Sequence, residues 1–237
     1  MSARLSMAAL ARIAAAAGVV AVLGSASAGC SVARKIDQIK HTVDSNRATI
    51  KAFTDGLKYS KSAPFQASYV TTGDQPTTIT YAVRPPESIS FAETATGADT
   101  SSTRLISNAS GQYSCSQSAA GARWTCDKLR KASAIAQRQL FALYTPDHWV
   151  TVLHVFAIGT GLAGNKVTTS SRTVNGFAMH CIDLFTKGEG TSVICTTKQN
   201  ILGYVKVAST SFAIKSYTSS PPASAFALPS GATITNQ

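Results

Sequence analysis

Acidic side chains are scarce: eleven Asp and Glu stand against twenty-two Lys and Arg in 237 residues, a formal charge of +11. The carboxylates are scattered, so none lies close enough in sequence to another to offer a paired acid and base. Histidine is scarcer still, with His41, His148, His154 and His180 the only candidates for a histidine base. His148 and His154 are six apart and would fall on different faces of a helix. G-x-S-x-G, H-E-x-x-H, and S-x-x-K with its partner motifs are all missing. These absences argue against an enzyme. There is no C-x-x-C, and the one histidine near a cysteine, His180, would point to the opposite strand face from Cys181, which argues against zinc. No metal and no other cofactor is expected.

Basic runs interleaved with aromatics, the footprint of nucleic-acid binders, are also missing. The cations are spread out instead: Lys35, Lys58, Lys61, Lys128, Arg130, Lys131, Lys187, Lys198, Lys206 and Lys215. No apolar run reaches the roughly 20 residues of a spanning helix. Gly159-Thr160-Gly161-Leu162-Ala163-Gly164 matches G-x-G-x-x-G. It follows a helical pattern and precedes a strand, the reverse of the order a dinucleotide site requires, so it reads as a flexible connection or hinge.

What the chain does have is a leader. Arg4 and Arg12 form a basic start, residues 13–24 an apolar run of about a dozen, and small residues follow up to Cys30. Ser27-Ala28-Gly29-Cys30 is similar to a bacterial lipobox, in which the thiol receives diacylglycerol and the cysteine becomes the first mature residue. Ser27 departs from the usual Leu, Val or Ile, and Ala26-Ser27-Ala28 also suits ordinary signal peptidase. Either cut sends the protein out of the cytoplasm. Removing residues 1–29 takes away Arg4 and Arg12 and no acid, so +11 becomes +9. A basic mature chain favours anionic surfaces. Its length suits one domain with a sizeable core.

Four cysteines remain, an even number, in two local sets: Cys115 with Cys126, and Cys181 with Cys195. Each set is separated by Gly-containing polar residues between strand-like runs. Four cysteines allow three connectivities, and only the two local bridges agree with hairpins. Each would contribute roughly 3 kcal/mol in the chain-entropy model.

Across residues 32–57, Val32, Ile36, Ile39, Val43, Ile50, Phe53 and Leu57 recur at three- and four-residue steps, with Asn46 at the missing position. This is one amphipathic helix or two in succession, up to about 39 Å long. Its first half is either a stalk or part of the packed domain. After Pro64 the period changes to two, through Phe65, Ala67, Tyr69, Ile79, Tyr81, Val83, Ile89, Phe91, Tyr113, Cys115, Trp124 and Cys126. These are short antiparallel strands with one apolar face. Residues 130–144 have helical composition, Thr145 can cap, and Pro146 suits the first position of a helix to about Ile158. The apolar arc of that second helix spans about 220°, interrupted by His148, where a surface helix needs little more than about 100°. It is sandwiched between protein layers or is a lid over an apolar cavity. Five more strands follow, then Pro221-Pro222 and an extended tail over residues 223–235.

Three stretches together carry a family resemblance. Residues 49–69 (TIKAFTDGLKYSKSAPFQASY) resemble the first helix and strand of LolA-like lipoprotein carriers. Residues 80–91 (TYAVRPPESISF) resemble their strand–Arg-Pro-Pro–strand hairpin, and residues 224–234 (SAFALPSGATI) their closing strand. Tyr113-Ser114-Cys115, Trp124-Thr125-Cys126 and the apolar helices after them look more specifically like the LppX- and LprG-like lipoproteins of this superfamily. The resemblance implies an α+β fold, a strongly curved antiparallel half-barrel of about eleven strands with helices on its concave face. It also implies a signal peptide at 1–29, a lipid anchor and helical tether at 30–44, and a lipid-binding domain at 45–237. Members hold or shuttle lipids, glycolipids or acylated proteins within the cell envelope, and some only contact other proteins.

The leading expectation is therefore a non-enzymatic, membrane-anchored lipoprotein, acylated at Cys30, which binds a lipid or acylated ligand in an apolar cavity for transport or delivery. Face and period nominate Phe65, Tyr81, Phe91, Leu140, Leu143, Trp149, Leu153 and Phe156 as lining. The alternative is an envelope interaction or sensor domain whose interior is filled by its own side chains, among them Phe141, Tyr144, Trp149 and Phe156. Cavity volume separates the two.

Overall fold

The computed structural model describes residues 29–236, except 60–62, 73–75, 87, 96–99, 131–132, 134–138, 140 and 160–164. The leader and Leu140 lie outside the described residues. The architecture is α+β. Twelve strands form one unclosed sheet, antiparallel apart from its last pair, with helices on the concave face.

Helix α1, Gly29–Tyr59, is continuous over 31 residues, so the sequence pattern belongs to one helix rather than two. Asn46 does not interrupt it, because it is buried in the same seam as Ile50, Phe53 and Leu57. Residues 37–42 are exposed, and beyond them Val43 is half-buried and Asn46 buried. Strands β1 (Phe65–Thr72), β2 (Thr77–Arg84), β3 (Ser88–Ala95), β4 (Ser102–Asn108), β5 (Gly111–Gln117) and β6 (Thr125–Lys128) form a meander. The chain then crosses the concave face through a 3-10 turn, Ala142–Tyr144, and helix α2, Pro146–Gly159. It returns as β7 (Lys166–Val174), β8 (Phe177–Thr186), β9 (Gly190–Thr197), β10 (Leu202–Val207) and β11 (Thr210–Thr218). Strand β11 pairs antiparallel with β1, joining the two halves at mid-sheet. With the closing strand β12 (Thr233–Asn236), the order is β12-β6-β5-β4-β3-β2-β1-β11-β10-β9-β8-β7.

The closing segment adds the strand beyond the expected eleven. After a short 3-10 turn at Ala223–Phe226, β12 pairs parallel to β6, so the tail is not simply extended. Arg104 donates to the carbonyl oxygen of Ala225 at 3.0 Å, Asn108 to that of Phe226 at 2.8 Å, and Arg84 to that of Pro221 at 2.7 Å. These bonds strap the tail across the outside of the meander. A small outer core of Ile106, Tyr113, Cys115 and Cys126 packs with Leu228 beneath it.

Pro146 opens α2 as its missing N–H allows. The expected cap works differently: Thr145 Oγ1 donates to the Ala142 carbonyl at 2.7 Å and so closes the 3-10 turn before the helix. Both local disulfides form, Cys115 directly across from Cys126 and Cys181 from Cys195. Each joins adjacent strands whose register already places the two cysteines opposite. Removing the second bridge with Cys181→Ser and Cys195→Ser together should lower unfolding free energy by about 3 kcal/mol, read as a shift in urea midpoint.

Candidate ligand cavity

Strand register decides which side chains meet inside the half-barrel. Phe65, Ala67 and Tyr69 of β1 stand opposite Val83, Tyr81 and Ile79 of β2, and Tyr81 stands opposite Phe91 of β3. Ile182, Ile194, Val205 and Phe212 continue the row across β8 to β11. All are buried, so the concave surface is a continuous apolar floor.

The segment crossing this floor fills much of it. Phe65 meets Tyr81 edge-on at 5.4 Å, Tyr81 stacks on Phe91 at 4.5 Å, and Phe91 stacks on Phe141 at 4.8 Å. Tyr144 lies 4.9 Å from Phe212 and 6.0 Å from Tyr69, ring centre to ring centre. Trp149, 1 % exposed, donates its Nε1 hydrogen to the Leu143 carbonyl at 2.6 Å, which ties the turn to the helix. Leu153, Phe156 and Ala157 press on the floor while Val155 is 45 % exposed, so α2 keeps one outward apolar side chain.

Two cavities remain beneath this cover. One, of about 310 Å³, lies between Trp149, Val152 and Phe156 of α2 and the β8–β9 hairpin, including Leu184 and Ile194, with Val207 and Ala208 beyond. The other, of about 250 Å³, lies between Phe65, Tyr81, Phe91 and the Pro85-Pro86 turn on one side and Thr145–Asp147 on the other. A third space, a larger open groove of about 800 Å³, runs between Thr49, Phe53 and Gly56 of α1 and strands β7–β9. Hydroxyls of Thr169, Ser171, Thr173 and Thr196 line it with His180 and Lys198, and Phe53 packs 5.9 Å from the His180 ring.

Of the nominated lining residues, Phe65, Tyr81 and Phe91 border the smaller cavity, and Trp149 and Phe156 the 310 Å³ cavity. Leu153 borders none of the three, because it is wedged into the core with no exposed surface. Leu143 is half-buried against the same core. The β8–β9 hairpin is absent from the nominated set. The period-two pattern Ile182, Leu184 and Ser192, Ile194 carries that signal, and only the strand order places it opposite α2.

The interior also holds polar groups. Glu93 shares the concave face with Phe91, and burial pushes its carboxyl above the usual range. Burial also raises the phenols of Tyr69 and Tyr144, with Tyr81 adding to the first and Glu93 to the second. His148 Nε2 is buried without a hydrogen-bond partner, and desolvation lowers that imidazole's pKa. No group of three His, Cys, Asp or Glu among the described residues could hold a metal ion.

No family model matches the chain, and no curated protein does. Solved structures superpose in part, at low identity. An uncharacterized conserved protein from Thermus thermophilus superposes with a TM-score of 0.47 and 6 % identity, over 80 % of this chain and 99 % of that one. MucB superposes at 0.46 and 9 %, over 78 % and 64 %. The MucA/MucB complex of Pseudomonas aeruginosa gives 0.47 and 8 %, over 77 % and 62 %. The chain thus spans under two thirds of those MucB chains. Likenesses at this level assign neither function nor residues.

Glu93 yields a pH prediction. A carboxyl whose folded pKa is raised favours the native state below its unfolded value, and that advantage fades as pH rises through the folded value. Glu93→Gln should therefore be more stable than wild type at pH 7, with the gain vanishing near pH 4, in urea midpoints measured at both.

Proposed function

We propose that this chain is a non-enzymatic binding protein of the cell envelope, which holds an acyl-chain ligand between its half-barrel and α2 for transport or delivery. The ligand class is a lipid, a glycolipid or an acylated polypeptide. One observation carries the reading: where α2 and its entry turn lie on the apolar concave face, they leave two cavities, one beside the entry turn and one beside the helix. Burying apolar chain there is worth roughly 0.8 kcal/mol per CH₂, so affinity follows the length buried and needs no catalytic or charged site.

The rest of the chain fits that use. The leader directs export, and bridged cysteines belong in an oxidising compartment. Lipidated Cys30 would stand at the start of α1, which rises about 24 Å from Cys30 to Asn46, the first buried residue among its described side chains, and so serves as a tether. The two acyl chains of a diacylglyceryl group anchor stably, and the basic mature charge adds attraction to anionic headgroups.

A second reading, an envelope interaction domain, draws support from the stacked Phe141 and the packed Tyr144, which occupy the middle of the trough. Native mass spectrometry of protein purified from its own envelope without detergent, followed by organic extraction, separates them. A co-purifying acyl compound of defined mass is the expected result; a clean apo mass with no uptake of fluorescent lipid would leave the interaction domain. Anchoring is tested apart from this, since Cys30→Ala should move the protein from the membrane fraction to the soluble one.

A further inference from the structure

The two cavities are separated by one cluster, and the strand order shows where it stands. The 250 Å³ cavity lies over β1–β3 and the 310 Å³ cavity over β8–β10, with the turn after β10. β11 runs between them beside β1, and there Tyr144 packs on Tyr69, farther along β1 than the cavity-lining Phe65, and on Phe212 of β11. Tyr144 belongs to a three-residue 3-10 turn rather than to a regular helix. It is a bulky ring on a short irregular segment, set into an otherwise continuous apolar floor.

What lies beneath that ring is unusual for a core. The Tyr69 side chain has no exposed surface, and its hydroxyl has no hydrogen-bond partner. An unpaired buried hydroxyl is costly, and native cores rarely leave one without a use. The strand beside it is also irregular, because the β1–β11 register shifts there: Ser68 pairs with Ser216 and Tyr69 with Ile214, so Lys215 of β11 is the extra residue opposite Tyr69. Such an irregularity bends a strand and re-aims side chains, often beside a functional site.

We propose that the two cavities are halves of one trough, that Tyr144 is the plug dividing it, and that the Tyr69 hydroxyl donates a hydrogen bond to the ligand once the plug swings out. This rests on the acyl-ligand reading above and narrows it. On the scale by which a cavity of about 150 Å³ holds benzene, each half takes an apolar arm of roughly ten carbons. A donor between two apolar halves fits a molecule with an oxygen acceptor between two arms. The ligand class is an ester with a hydrocarbon chain on each side of its carbonyl, rather than a fatty acid with its charge at one end.

The test compares decyl decanoate with heneicosane, an alkane of the same chain length that lacks the acceptor, each delivered from cyclodextrin to the full-length chain. Bound amounts are read by extraction for wild type, Tyr69→Phe and Tyr144→Ala, with Tyr144→Leu as a gentler substitution if the alanine variant unfolds. Wild type should prefer the ester by about fivefold, the worth of one ordinary hydrogen bond. Tyr69→Phe should bind both molecules equally while melting no earlier than wild type, since it deletes an unpaired hydroxyl. The Tyr144 variants should load the ester at least tenfold faster. A wild type without ester preference, a Tyr69→Phe variant that keeps it, or unchanged loading after Tyr144 substitution would overturn the proposal while leaving the acyl-ligand reading standing. Folded protein that takes up neither molecule in any variant would overturn both.

Discussion

A strongly curved sheet presents one concave face, and here that face is apolar along most of its width. Leaving it wet would forgo the main driving force for folding, so some part of the chain has to cover it. The cover comes from the connection between the two halves of the sheet. The chain leaves β6 near one edge and re-enters at β7, the opposite edge, and of the stretch between, the 3-10 turn and α2 pack on the floor. The β1–β11 pairing then joins the halves, so curvature, cover and central seam form one arrangement.

That arrangement explains why the interior is neither full nor empty. A helix laid on a strongly curved floor touches it along a line, where Trp149, Leu153 and Phe156 are buried, and leaves space at its flanks. The aromatic rings of Phe141 and Tyr144 close the space at the middle but not at the sides. Polar groups caught in this region, Glu93, His148 and Tyr69, are shifted in pKa by burial, because there is little water left to solvate a charge there. The outer surface is governed by different contacts. There the Cys115–Cys126 bridge and the strapped C-terminal tail hold the meander, and the tail's hydrogen bonds come from Arg84, Arg104 and Asn108 on the strands below.

Much of this is legible in the chain wherever the signal is local. Period two marks strands, steps of three and four mark α1, Pro146 marks the start of α2, and hairpin spacing marks both disulfides, since each depends on residues within one turn or one hairpin. The excess apolar width of α2 announces that it meets protein on more than one side. Less legible are the contents of the floor. Face and period point to Leu153 as lining, yet it is wedged in the core, because helical phase gives direction but not depth. Thr145 suits a cap for α2 and instead closes the preceding turn, two roles that differ by a single acceptor atom.

The curvature of the sheet entered only as what the family resemblance implies; by itself the sequence determined the one-faced strands, the amphipathic helix and the local cysteine pairs, and it carries the leader-like start that runs up to Cys30. Each is a matter of composition or of spacing over a dozen residues or so. Only the tertiary structure decided that β11 closes on β1, that the tail adds a parallel twelfth strand, and that α2 leaves two small cavities rather than one large one. The same holds for the placing of Tyr69, Tyr144 and Phe212 together between those cavities. These features join residues up to about 150 positions apart, and their geometry is set by sheet curvature and by which ring reaches the shared space, neither of which leaves a periodic mark in the chain.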